Sequence, residues 1–162
     1  MRYFIKIIAV AFFLIAINES YSQGLNKRIK KIADLIAIEN IVQGPAIGFA
    51  GSKSDQYKRF EKILIKGDLK DFVGLSNHPS ATVRCYGLWA ILVTDSITYQ
   101  KEIKRFTSDT STVEFQSGCV IREYTVFNLF SQKEEDLKNM YNYHKEFMED
   151  DNKRFQLKRK KF

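Results

Sequence analysis

Cysteine, histidine and proline are scarce in this 162-residue chain, at two copies each, and tryptophan occurs once. Each shortage excludes something. Two cysteines cannot build the framework of a disulfide-dense domain. A catalytic zinc site needs three protein ligands. His78, His144, Cys85 and Cys119 lie at no recognised ligand spacing, so no metal is expected. No Gly-x-Ser-x-Gly and no Gly-rich phosphate loop occur. The "GFAG" at 48–51 lacks the Lys and the apolar helix of a P-loop. Glu134-Glu135-Asp136 and Glu149-Asp150-Asp151 are contiguous, so their carboxylates fan around a helix instead of sharing a pocket. The residues nominate no catalytic group and no cofactor, and the chain does not read as an enzyme.

Long apolar runs are also scarce. One occurs, Ile7 to Ile17, after Arg2 and Lys6. Its 11 residues span about 16 Å as a helix, short of a bilayer core of about 30 Å. Ser20 and Ser22 then place small residues at −3 and −1 before Gln23. This is the pattern of a secretory signal peptide, residues 1–22, cleaved after Ser22. The expected product is exported, periplasmic or secreted, and has no transmembrane segment. It keeps 140 residues, enough for one modest core, and a charge of +6 against +7 for the whole chain.

That charge sits mainly at one end. Lys153, Arg154, Lys158, Arg159, Lys160 and Lys161 crowd the last ten residues and leave the body near neutral. A basic tail of this kind, 151–162, suits a solvated helix end or weak contact with an anionic surface. It does not suit a specific nucleic-acid groove.

Residues 23–150 read as helical. Apolar positions at Leu25, Ile29, Ile32, Leu35, Ile36 and Ile38 predict a helix over 25–42, stopped by Gly44-Pro45. Ser52 or Ser54 caps a second helix, Asp55 to about Lys66, ended by Gly67. A third follows from Asp68 to Ser76, and a fourth from Ala81 to about Val93 after Pro79-Ser80. Further helices are expected over Ile97–Phe106, Cys119–Phe130 and Gln132 to about Met148. The Cys119–Phe130 stretch carries much β-branched content (Val120, Ile121, Thr125, Val126).

The stretch "NHPSATVRCYGLWAI", 77–91, resembles the second helix of a HEAT-type repeat. The turn is Asn77-His78-Pro79, the paired residues are Val83-Arg84, and the helix ends in Ala90-Ile91. The turn has Asn77 or His78 where that family usually has Asp. "TVRCYGLWAIL" (82–92) also aligns with "VIREYTVFNLF" (120–130) at an offset of 38 residues, setting Arg84 on Arg122 and Trp89 on Phe127. Two-helix repeats recur at about that spacing. The segments "IGFAGSKSDQY", "VRCYGLWA" and "DTSTVEFQSGC" resemble small, uncharacterised secreted bacterial helical-repeat proteins. These resemblances imply an all-α fold, a short right-handed α-solenoid of HEAT-like helix pairs with N- and C-terminal capping helices. They assign Pro79, Val83, Arg84, Gly87, Trp89 and Arg122 structural roles, with Arg84 pairing to acidic or carbonyl groups of a neighbour. Gly87 costs up to about 1 kcal/mol in a helix, which a close helix contact would offset.

An oxidising compartment and an even count permit one Cys85–Cys119 bridge. Two buried thiols, or a reactive thiol, are the alternatives. Three functions follow: a non-catalytic module that binds an unidentified protein of the cell envelope, a Cys/His-dependent envelope enzyme, or a polyanion- or membrane-surface binder acting through the basic tail.

Overall fold

The computed structural model describes residues 25–159, with side chains through Lys145. The expected leader, 1–22, and Lys160 and Lys161 lie outside the described residues, as do the side chains of Lys153, Arg154, Lys158 and Arg159. The described residues form six helices and one three-stranded mixed sheet. The all-α solenoid is therefore corrected: this is a mixed α/β fold.

Helix α1, Lys27–Glu39, starts at Asn26, whose side chain accepts from the Arg28 amide. Ile29, Ile32, Ala33 and Ile36 bury one stripe. Asn40, at φ 50°, ends the helix in the left-handed region that Asn tolerates. The chain then becomes a strand, β1, Val42–Ile47, in place of the last helical turn expected up to residue 42. Gly44-Pro45 lies inside β1. Proline is tolerated there because β1 is an edge strand, and its pairing shifts between Gln43 and Ile47.

Helix α2, Asp55–Lys66, is capped by Ser54 and ends at Gly67. Helix α3, Leu69–Ser76, opens with Asp68 and Asp71 in a reciprocal capping box. Helix α4, Ala81–Thr94, is the centre of the fold. Ten of its residues, on every side, are buried, so it needs neighbours all round. Trp89 is fully buried, stacks on Phe60 with ring centroids 4.7 Å apart, and donates its indole N–H to Leu137 O at 3.1 Å. Gly87 lies against α3. A Cβ there would stand 2.5 Å from the Ser76 amide nitrogen, so the approach of the two backbones requires glycine. Helix α5, Ser96–Glu102, runs into a short 3-10 turn, Ile103–Phe106.

The chain then folds back as a hairpin. Strand β2, Thr112–Gly118, pairs parallel to β1 and antiparallel to β3, Val120–Thr125. Helix α6, Val126–Arg159, follows at once and runs through residue 151 without a break. The helix expected over Cys119–Phe130 is thus a strand followed by the first turn of α6. The repeat correspondence fails with it, because Arg84 lies in a helix and Arg122 in a strand. The expected capping helices do not flank a stack: α1 packs on α2 and α4, while α6 packs on α4 and the sheet.

The reason is local. "TVEFQSG" alternates, with Val113 and Phe115 turned inward and Thr112 and Glu114 outward. "VIREYT" is rich in strand formers. Gly118, at φ 57°, occupies the first position of the two-residue Gly118-Cys119 loop. That is the glycine position of a type II′ hairpin turn.

Candidate interaction surface

Of the residues singled out by the HEAT resemblance, Val83, Gly87 and Trp89 are buried, Arg84 is half-buried, and Pro79 and Arg122 are exposed. Pro79 lies in the turn before α4, and Val83 is fully buried. Arg84 donates from Nη1 to the carbonyls of His78 (2.9 Å) and Pro79 (2.8 Å), and pairs through Nη2 with Asp109 Oδ2 at 2.9 Å. His78 Nδ1 accepts from the Ser80 amide at 3.0 Å. Burial alone would raise the Asp109 carboxyl. Hydrogen bonds from Ser111 and Arg84 outweigh it and hold the group below its usual value. A cavity of about 460 Å³ borders Arg84, Arg105 and Asp109. Arg105 is itself engaged by Glu102 and Asn77. The cluster clamps the 77–80 turn to the loop that leads into β2.

Cys85 and Cys119 are free. Cys85 is fully buried in α4, whereas Cys119 is exposed at the hairpin turn. Burial pushes the Cys85 thiol well up, the opposite of what a nucleophile needs. His144 is engaged elsewhere, its Nε2 lying 2.7 Å from Glu61 Oε1, which also accepts from Lys53 Nζ at 2.6 Å. The ring edge of His144 packs on Tyr57, with centroids 5.2 Å apart. Burial, helped by Glu61, raises the Tyr57 phenol. This cluster ties α6 to α2. Among the described residues no group of three or more His, Cys, Asp or Glu side chains is placed to hold a metal ion. No helix among them is long and apolar enough to cross a membrane.

The feature that sequence reasoning missed is the outer edge of the sheet. The strand order β1-β2-β3 leaves β3 with a neighbour on one side only. Around a two-residue loop, the flanking pair Ser117–Val120 is hydrogen-bonded, and bonding then alternates along the ladder. The Val126 amide bonds Ser111 O at 3.2 Å, which fixes the same alternation from the other end. Val120, Arg122 and Tyr124 therefore bond to β2. Ile121 and Glu123 turn their N–H and C=O outward, and Thr125, whose side chain caps α6 by accepting from the Asn128 amide, turns its N–H outward.

The two faces of this edge differ. Val120, Arg122 and Tyr124 line a groove of about 240 Å³ with Phe115, Lys133 and Met140. On the opposite face Glu123 stands directly across from Glu114, and Ile121, 52% exposed, across from Gln116. Arg122 and Glu123 sit at the middle of the strand. A second copy pairing antiparallel about a two-fold axis would set Arg122 against Arg122, or Glu123 against Glu123, in the two central registers. Like charges directly opposite destabilise a pair, so the edge is guarded against its own copy. The sequence signal for this edge was the alternation in "TVEFQSGCVIREYT" around Gly118-Cys119.

Comparison with known protein families, with curated proteins and with solved structures finds no match.

Proposed function

We propose that this chain is an exported, non-catalytic interaction module that accepts an extended segment of a partner protein as a fourth strand on β3. The observation that carries this reading is the free edge, with outward backbone groups at Ile121 and Glu123 and the outward amide of Thr125. Strand addition draws affinity from main-chain hydrogen bonds and selectivity from alternate side chains. The charges state the preference. The partner segment carries an acidic residue on the groove face beside Arg122, because Lys133 there is already paired with Asp136 at 2.9 Å. On the other face it carries a basic residue, beside Glu123 and Glu114. The burial of Cys85 and the engagement of His144 with Glu61 speak against a thiol enzyme built on that pair.

Glu123→Pro tests the reading. The amide it removes points away from β2, so the hairpin ladder is kept. Envelope extracts passed over the wild-type chain should yield a partner that the Glu123→Pro chain, melting at a similar temperature, does not retain. Retention of the same partner by both chains, or of none by either, overturns the proposal.

A further inference from the structure

The two edges of the sheet differ in what covers them. On β1 the fully buried Tyr86 hydroxyl accepts from the Gln43 amide at 2.8 Å and donates to the Gln43 carbonyl at 3.3 Å. The Gln56 side chain, also fully buried, donates to Ile41 O at 3.0 Å, just before the strand. Side chains close that edge. Among the described residues no such group reaches the outward N–H and C=O of Ile121 and Glu123.

Arg122 decides what can lie on the open edge. It stands on the face of β3 that looks toward α6, directly across from the buried Phe115. A charge on the inward face of an edge strand discourages indiscriminate pairing. Arg122 forms no hydrogen bond or ion pair with a described residue. Its one acidic neighbour in the groove, Asp136, is taken by Lys133 at 2.9 Å. The hydrogen bond and charge of Asp136 raise the Lys133 ammonium, and the nearby Arg122 opposes that shift. The groove is left with one uncompensated positive charge. Its walls on either side of Arg122 are apolar: Val120 toward the turn, and Tyr124 toward α6, its ring edge-on to Phe115 with centroids 6.4 Å apart. On the opposite face Glu123 and Glu114 stand side by side.

Given strand addition at β3, on which this rests, we infer that the partner segment pairs antiparallel and reads apolar, basic, acidic, apolar, apolar from its N-terminus. These residues lie opposite Tyr124, Glu123, Arg122, Ile121 and Val120. Antiparallel pairing is the more stable per residue. Arg122 bonds to β2, so its partner in a fourth strand forms a non-hydrogen-bonded pair. The Cα atoms of such a pair are about 4.5 Å apart, and the side chains are at their closest. A carboxylate there meets the guanidinium in charge-assisted hydrogen bonds. The residues opposite Tyr124 and Val120 belong to the same kind of pair and rest on the apolar walls of the groove. The residue opposite Glu123 turns to the other face, where a cation meets two carboxylates. An apolar residue covers the half-exposed Ile121.

Three hexapeptides with both ends capped test this order by nuclear magnetic resonance on the labelled full chain, titrated to millimolar concentration. The first, Thr-Val-Lys-Glu-Ile-Val, starts opposite Thr125 and has the inferred order. The second, Thr-Val-Glu-Lys-Ile-Val, exchanges the two charges. The third, Val-Ile-Glu-Lys-Val-Thr, is the first reversed and offers the same contacts only to parallel addition. The first should move the amide signals of Ile121 and Glu123 and bind about tenfold more tightly than the other two, the scale of two opposite-charge pairs set against two like-charge pairs. In a chain carrying both Arg122→Glu and Glu123→Arg the preference should invert to the second peptide. Equal binding of all three, with those amides moved, would overturn the order and leave strand addition standing. Tighter binding of the third would overturn the direction, and a preference that survives the double charge reversal would overturn the role of Arg122. Amides of Ile121 and Glu123 that none of the three moves would overturn both the order and strand addition.

Discussion

Gly87→Ala sets two physical effects against each other. In an open helix the change stabilises by about 1 kcal/mol, because alanine is the better helix former. Here the new methyl group would stand 2.5 Å from the Ser76 nitrogen and 2.8 Å from both the Leu75 carbonyl carbon and its Cβ. Two of these are main-chain atoms of α3 and its end, which cannot rotate aside. Helices α3 and α4 must separate, and overpacking of this kind costs about 1–3 kcal/mol or more. The net expectation is a loss of about 1–2 kcal/mol, roughly 3–8 °C in Tm. Gly74→Ala is the control. Its methyl group would meet Leu25 Cδ2 at 2.9 Å, the far end of a flexible side chain that can move. That variant should be neutral or stabilised by up to about 1 kcal/mol. Urea unfolding of both variants, read by circular dichroism, measures the two signs. A Gly87→Ala protein as stable as wild type, or two variants that shift together, would refute the close backbone approach.

Other consequences follow from the same geometry. The Asp109 carboxyl is held below its usual value, so its contribution to stability is full above about pH 4, near the unfolded value. That contribution is lost as the pH falls through the lower folded value; Arg84→Met should destabilise by about 2 kcal/mol at neutral pH and flatten the acid limb of a stability–pH curve. An unchanged acid limb in Arg84→Met would show that the clamp is not what depresses Asp109. Glu123→Lys replaces the like-charged pair with Glu114 by an attractive one and should stabilise by a few tenths of a kcal/mol, about 0.2–1, at low salt. Stability that does not respond, or responds equally in high salt, would remove Glu114–Glu123 from the account. Alkylation of the folded chain should label Cys119 within minutes and Cys85 only after unfolding. Failure of both to react even in denaturant would mean that they are joined.

Much of the helical frame was legible in the sequence. Asp55–Lys66, Ala81–Thr94 and the helix after Asp68 carry caps and stops that act through neighbouring residues, and those signals do not depend on the rest of the fold. Strand β1 was not legible. "VQGPAI" has two breakers, and only pairing with Phe115 and Gln116 makes it a strand. The β2–β3 hairpin left a signal that a stronger pattern hid. Aligning Val83-Arg84 with Ile121-Arg122 matched residue types and carried the helix of α4 onto a strand. The β-branched residues at 120, 121 and 125, and the Gly118-Cys119 pair, pointed the other way. The partners of Arg84 were half legible: carbonyls in its own turn, which are local, and Asp109, which is reached only through the folded chain. The hairpin that carries Glu123 left its alternation in the sequence; that its outer edge stays uncovered depends on what lies beside it in space, which no local pattern encodes.

Amide hydrogen exchange along β3 tests the open edge most directly. In the free protein the amides of Ile121, Glu123 and Thr125 should exchange rapidly, while those of Arg122 and Tyr124 should be slow, in strict alternation. A bound partner strand should slow the first set and leave the second unchanged. Slow exchange at all five positions in the free chain would mean that the edge is already covered. Uniformly fast exchange would mean that β3 is not held in the sheet. Either result would contradict a binding edge at Ile121, Glu123 and Thr125.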